Sequence, residues 1–200
     1  MAAAAHTPLP WPEAAVVDEE TLEEQIAAFA RVTPARPLVL GGCCCAHVGV
    51  VRELGRRHGR VGVVWIDAHG DLNTASSSPS GNAWGMPLRM LLDAGDVEPR
   101  DVTLVAARNL DPPELAFLEE AGIRRELGPL PERLYVAVDC DAVAPGALDV
   151  FMPEPGGPTL DELEVLLASL PAPAGAGLTG LVPSARNEAL LPRLARALGL

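Results

Sequence analysis

Two apolar runs in this sequence end in groups of side chains of the kinds that can ligate metals. Val61-Gly62-Val63-Val64-Trp65-Ile66 stops at Asp67, His69 and Asp71, and Tyr135-Val136-Ala137-Val138 stops at Asp139 and Asp141. Alternate residues of an extended chain share a side, so Asp67 pairs with His69, and Asp139 with Asp141, while Cys140 points away. Gly70 is expected to supply the bend that returns Asp71 to the same point. Carboxylates gathered in this way repel one another or stay unpaired unless a cation holds them. Four carboxylates and one imidazole suit a pair of divalent ions, with Mn2+ the natural choice for oxygen-rich ligation. Two ions about 3.5–4 Å apart can hold a hydroxide between them and so supply a nucleophile at neutral pH. For the first run taken alone, the alternative is a helix cap at Asp67 followed by two surface residues.

Strands must carry these residues, and the pattern supplies them. Both runs are apolar without alternation, as in strands buried on both faces of a parallel sheet. Further strands are expected at Leu38–Leu40 and Val102–Ala106, with a poor one over 176–182. Helices are expected over Asp18–Arg31, Ala46–His58 (stopped by Gly59), Met86–Ala94, Pro112–Ala121, 159–170 and Glu188–Leu198. Residues 1–17 read as a loose arm. The segments 72–85 and 142–158 read as loops, and loops of that length tend to carry function. Strand and helix alternate from Leu38 onward. The fold class is therefore α/β, with a mostly parallel central sheet between two helical layers. In such folds ligands lie beyond the carboxyl ends of the strands, where both acidic motifs fall.

Bulk composition narrows the chemistry. A chain of 200 residues is expected to form a single domain. Its net charge of −12 disfavours nucleic acid and suits a cation or a cationic small molecule. All 15 of its basic residues are arginine, which excludes lysine Schiff-base chemistry. The N-terminus does not read as a signal peptide, and no apolar run reaches the ~18 residues of a membrane span. Cys43, Cys44, Cys45 and Cys140 form no disulfide framework, so the cytoplasm is the expected compartment.

Four motifs in order resemble the ureohydrolases, the family of arginase, agmatinase and formimidoylglutamase. They are Gly41-Gly42-Cys43-Cys44-Cys45, Asp67-Ala68-His69-Gly70-Asp71, Ser80-Gly81-Asn82-Ala83-Trp84-Gly85 and Ala137-Val138-Asp139-Cys140-Asp141. Gly49 and Met86-Pro87-Leu88 also match, and the resemblance runs from Leu38 to Leu200. Relative to the family pattern, the first strand and the segment after it are missing. The resemblance implies an arginase-like fold, a homo-oligomer and a binuclear manganese site. In that site Asp67 and Asp139 bridge the ions, Asp71 completes one shell, and His69 and Asp141 complete the other. The implied reaction is hydrolysis of a guanidine, amidine or formimino C–N bond in a small molecule. Asp67, His69 and Asp139 would act through the metal-held hydroxide, and Asn82 would contact the substrate.

Departures from the pattern are equally specific. Cys44 stands where the family has a ligating histidine. As a thiolate it would draw Zn2+ or Fe2+; otherwise Cys43 to Cys45 are small turn residues. Held at a helix N-terminus and beside a cation, the thiol is expected to ionise readily. His47 reads as a packed or surface residue. Trp84 replaces a proton-shuttling histidine and is no acid or base at neutral pH. Gly180 replaces the glutamate that holds a cationic substrate; Glu154 is either a substitute carboxylate or a solvated loop residue. Two functions follow: a dimetal hydrolase, or a catalytically inactive metal-binding or regulatory relative. A metal phosphoesterase would need Arg89 or Arg108 as its phosphate clamp.

Overall fold

The computed structural model describes residues 11–200, so most of the expected N-terminal arm lies outside it, and 11–17 carry neither helix nor strand. Helix α1 (Leu22–Val32) begins later than expected because Thr21 takes the cap position. The Thr21 hydroxyl accepts the Glu24 N–H at 3.2 Å while the Glu24 carboxylate accepts the Thr21 N–H at 3.1 Å. This reciprocal pair satisfies two orphan donors, which the preceding acidic run cannot do. Strand β1 (Leu38–Leu40) leads through the Cys turn to α2 (Ala46–His58), which stops at Gly59. The chain continues through β2 (Gly62–Ile66), α3 (Pro87–Asp93), β3 (Val102–Val105) and α4 (Pro112–Ala121). It closes with β4 (Leu134–Asp139), α5 (Leu160–Ser169), β5 (Gly175–Thr179) and α6 (Ala185–Ala197). No described helix is long and apolar enough to cross a membrane.

The five strands form one sheet in the order β1-β5-β4-β2-β3, with every neighbouring pair parallel. Side chains alternate between its faces as the strand period demands. Val63, Trp65, Tyr135 and Ala137 join one core with residues of α1 to α4, while Val64, Ile66, Val136 and Val138 join a second with α5 and α6. This is the three-layer α/β/α arrangement, and it explains why the strands read as unbroken apolar runs. Cys140 belongs to the second core, on the side away from the acids, as its position requires.

The poor strand is corrected. β5 is fully buried and pairs with β1 on one side and β4 on the other. Its Gly-Ala-Gly start has little strand propensity, and pairing on both edges overrides that local weakness. Its place in the sheet fixes the site. Ile66 pairs with Val138, and Asp139 pairs with Thr179, so the carboxyl ends of β2, β4 and β5 are level.

Candidate metal centre

Both acidic strand ends use one local device. Asp67 Oδ1 accepts the His69 N–H at 2.7 Å, and Asp139 Oδ1 accepts the Asp141 N–H at 2.9 Å. Each aspartate thereby turns the chain just past its strand and fixes the residue two positions on. At the end of β2 the bend falls on Asp71 itself, whose φ is 53°, and not on Gly70. Gly70 serves a different purpose: a Cβ there would lie 2.7 Å from Glu114 Oε1. Glu114 needs that space to accept the Leu72 N–H at 2.9 Å and the Asp111 N–H at 2.8 Å, pinning the loop behind Asp71.

The ends meet across the sheet edge. The Ala68 N–H donates to Asp141 Oδ1 at 3.2 Å, and His69 Nδ1 lies 3.1 Å from Asp141 Oδ2 and 3.4 Å from Asp67 Oδ1. On the other side of Asp67, Cys44 Sγ is 3.8 Å from Asp67 Oδ2 and 2.9 Å from Asp139 Oδ2. The buried Trp65 indole donates to Asp67 Oδ2 at 3.1 Å. Two groups of potential metal ligands result, Cys44–Asp67–Asp71 and Asp67–His69–Asp141, each with ligand atoms within 4.8 Å of one another. Asp67 belongs to both. Asp139 reaches this cluster through Cys44.

The electrostatics describe a site built for positive charge. Burial first, and neighbouring carboxylates after it, push Asp71 and Asp139 well above the usual carboxylate range, and burial raises Asp67. Hydrogen bonding to Asp141, then to Asp67, pushes His69 up to about 11. Asp71 Oδ2 is buried with no hydrogen-bond partner among the described residues. An orphaned acceptor among crowded carboxylates is what a divalent cation would satisfy, so the donor set fits metal ions. Burial, then the charge of Asp139, pushes the Cys44 thiol well up, so a thiolate there would need a cation beside it.

Around this cluster the structure sorts the remaining candidates. His47 is buried, 2.9 Å from the Tyr135 hydroxyl and 3.2 Å from Thr179 Oγ1, and burial pushes it down to about 3. Glu154 is no solvated loop residue: Oε1 lies 3.3 Å from His69 Nε2, and its side chain is only 19% exposed. Arg108 is no phosphate clamp. Its guanidinium donates to the backbone carbonyls of Ala106, Asp141, Ala142, Glu154 and Pro155, tying the Glu154 loop to the end of β4. Arg89 is likewise committed, to Asp93 and to the ring face of Phe117. Asn82 is half-exposed in the loop before α3, beside Ala83, whose carbonyl receives Cys45 Sγ at 3.6 Å. Trp84 meets Phe151 edge to face at 6.0 Å, and both are exposed. Gly180 has φ +71°, and a Cβ there would fall 2.2 Å from Asp139 Oδ1. No side chain fits at 180 unless Asp139 moves.

A sequence model of the Arginase family matches residues 7–127, which include the first ligand motif. The chain belongs to the arginase family. An arginase of Bacillus caldovelox is 41% identical over 100 residues, covering 44% of this chain and 33% of its own length. The stretch matched thus spans about a third of the curated relatives. Among solved structures, the native B. caldovelox arginase superposes with a TM-score of 0.78 at 25% identity, covering 94% of this chain and 82% of its own. The Bacillus subtilis arginase gives a TM-score of 0.78 at 23% identity, covering 90% and 79%. The arginase-family fold therefore extends past residue 127 to β4 and β5, where sequence similarity is thinner.

Some contributors to this arginase-family site carry no visible mark in the sequence. Trp65, Tyr135 and Thr179 read as ordinary strand residues; Trp65 reaches Asp67 within its own strand, whereas Thr179 meets Cys44 and Tyr135 meets His47 only through the tertiary fold. Glu114 had a signal, since Asp111-Pro112-Pro113-Glu114 has capping-box spacing at a helix start. That spacing foretells the bond to Asp111, not the one to Leu72.

Proposed function

We propose that this protein is a metal-dependent hydrolase that cleaves a linear C–N bond in a guanidino, amidino or formimino small molecule. The observation that supports this most is the pair of ligand groups sharing Asp67 at adjoining strand ends of an arginase-family chain. Asp67, Asp71 and Cys44 would hold one cation, and Asp67, His69 and Asp141 the other; Asp139, which meets the cluster through Cys44, would be the second bridging carboxylate. Mn2+ suits the carboxylate–imidazole group, whereas Zn2+ or Fe2+ suits a group containing Cys44. When bound, such cations supply a Lewis acid and a water acidic enough to attack at neutral pH.

The chain's own residues do the rest. Glu154, held beside His69 by the Arg108 clamp, faces the cationic head of the substrate in place of a carboxylate at 180. Asn82, in the loop before α3, would hydrogen-bond the substrate's polar end. Trp84 can donate a hydrogen bond but cannot relay a proton. Losing general acid–base help costs roughly 10²–10⁴-fold, so turnover is expected to be slow.

The exposed Trp84–Phe151 pair and the blocked position 180 favour a second reading, a metal-binding relative without turnover. One experiment separates the two. Purified protein is analysed for metal, then assayed with Mn2+ or Zn2+ for urea, ammonia or formamide release from guanidino and formimino compounds. Two ions per chain and release from at least one compound are expected. Two ions without release would establish the second reading, and less than one ion with no release would sink both.

A further inference from the structure

Behind Cys44 lies a line of buried polar groups that the proposed hydrolysis does not use. Thr179 Oγ1 sits 3.0 Å from Cys44 Sγ, 3.2 Å from the Val138 carbonyl oxygen and 3.2 Å from His47 Nε2. His47 Nδ1 in turn lies 2.9 Å from the Tyr135 hydroxyl. None of the three is accessible to solvent. The line has been given room: a Cβ at Gly177 would stand 2.6 Å from the His47 ring and 2.7 Å from the Tyr135 hydroxyl. Buried polar groups are costly unless each finds a partner, so the direction of every hydrogen in this line is constrained.

A hydroxyl has one hydrogen to give. While Cys44 keeps its own, it donates to Asp139, and Thr179 donates to the Val138 carbonyl. Were Cys44 to hold a divalent cation, it would do so as a thiolate, its proton released to buffer. The sulfur then only accepts. The Thr179 hydrogen can turn to it, the His47 Nε2–H can donate to Thr179, and the Tyr135 O–H can donate to His47 Nδ1. The sulfur, Thr179, His47 and Tyr135 are then linked with the heavy atoms where they stand, and the Val138 carbonyl gives up the Thr179 hydrogen. A neutral imidazole is required for this, and burial keeps His47 neutral. Independently, Asp71 is 4% exposed and its unpartnered Oδ2 belongs to the same ligand group as Cys44.

We propose that Tyr135, His47 and Thr179 form a hydrogen-bond line that positions Cys44 as a thiolate ligand, so that the Cys44–Asp67–Asp71 group takes a thiophilic divalent cation. Thr179 is the positioning residue, since it alone of the three touches the sulfur. This rests on the metal-binding part of the proposed function and not on turnover. Partners that orient a ligand typically matter by about 10–100-fold in metal affinity.

Titration of the metal-free full-length chain with Co2+ alone tests it, read by near-ultraviolet absorption and by competition with a chelator. The wild type is expected to show a sulfur-to-cobalt charge-transfer band that Cys44→Ser abolishes. Thr179→Val, which keeps shape but loses the hydroxyl, should shift that band and weaken Co2+ binding about 10–100-fold. Thr179→Ser should restore both, and His47→Ala should act like Thr179→Val, which keeps the test open if the valine variant fails to fold. Circular dichroism checks that each variant is folded. An unchanged band and affinity in Thr179→Val or His47→Ala would overturn the proposal. Wild type that takes two Co2+ with no charge-transfer band would overturn it too, leaving the proposed function standing. No Co2+ bound at all would remove both.

Discussion

Cys44 and Asp71 lie behind the shared Asp67 and are buried, whereas in front of it the buried Asp141 sits beside His69, which is partly exposed and faces Glu154. The His69 side chain is 26% exposed; that of Cys44 is buried with its neighbours. The rear group is made rigid by buried side-chain bonds. The front group is held by backbone N–H donors and by a loop that Arg108 ties down. The two groups differ accordingly: under the proposed function the buried, sulfur-containing one would hold an ion, and the one bearing the partly exposed His69 would meet a substrate. Glu154 lies beside His69, and the Tyr135–His47–Thr179 line lies behind Cys44.

Removing the residue the halves share should have the largest effect. Asp67→Ala is expected to take metal content from two ions per chain to none, measured by elemental analysis after gel filtration. If one ion survives, the groups do not depend on a common ligand. His69→Ala should cost the front ion alone, leaving one ion per chain together with the Co2+–sulfur absorption of the rear group. Loss of both would show that the halves are not separable. The smallest effect belongs to the clamp. Arg108→Ala removes hydrogen bonds from a charged donor to five carbonyls and should destabilise the fold by about 1–3 kcal/mol. Binding at the rear group should stay unchanged while the front ion weakens, as chelator competition would show. Equal weakening at both would erase the proposed division.

Much of this contrast was hidden in the sequence because it depends on residues from separate strands. Asp67, His69 and Asp71 could be read together since they are local, and carboxylates crowded at the end of a buried strand need a cation to offset their repulsion. The spacing of Asp139 and Asp141 was equally plain. How the ligands would group came only from the family resemblance, because its physical cause is the parallel register of β2 with β4 and of β4 with β5. Gly180 shows the same limit. Its identity revealed a missing carboxylate, but only the approach of Asp139 Oδ1 explains why no side chain fits. Arg108 stood as a candidate phosphate clamp until the loops around it supplied carbonyls for its guanidinium.

Local period and residue chemistry therefore determined the α/β layers, the two acidic strand ends and the need for positive charge between them. Those properties depend on residues a few positions apart, where chain geometry leaves little choice. Tertiary structure decided the rest: β5 as an interior strand, Glu154 turned toward His69, and Cys44 backed by a buried hydrogen-bond line. Each of these joins residues distant in the chain, and only packing of the strands and loops sets which atoms come within reach.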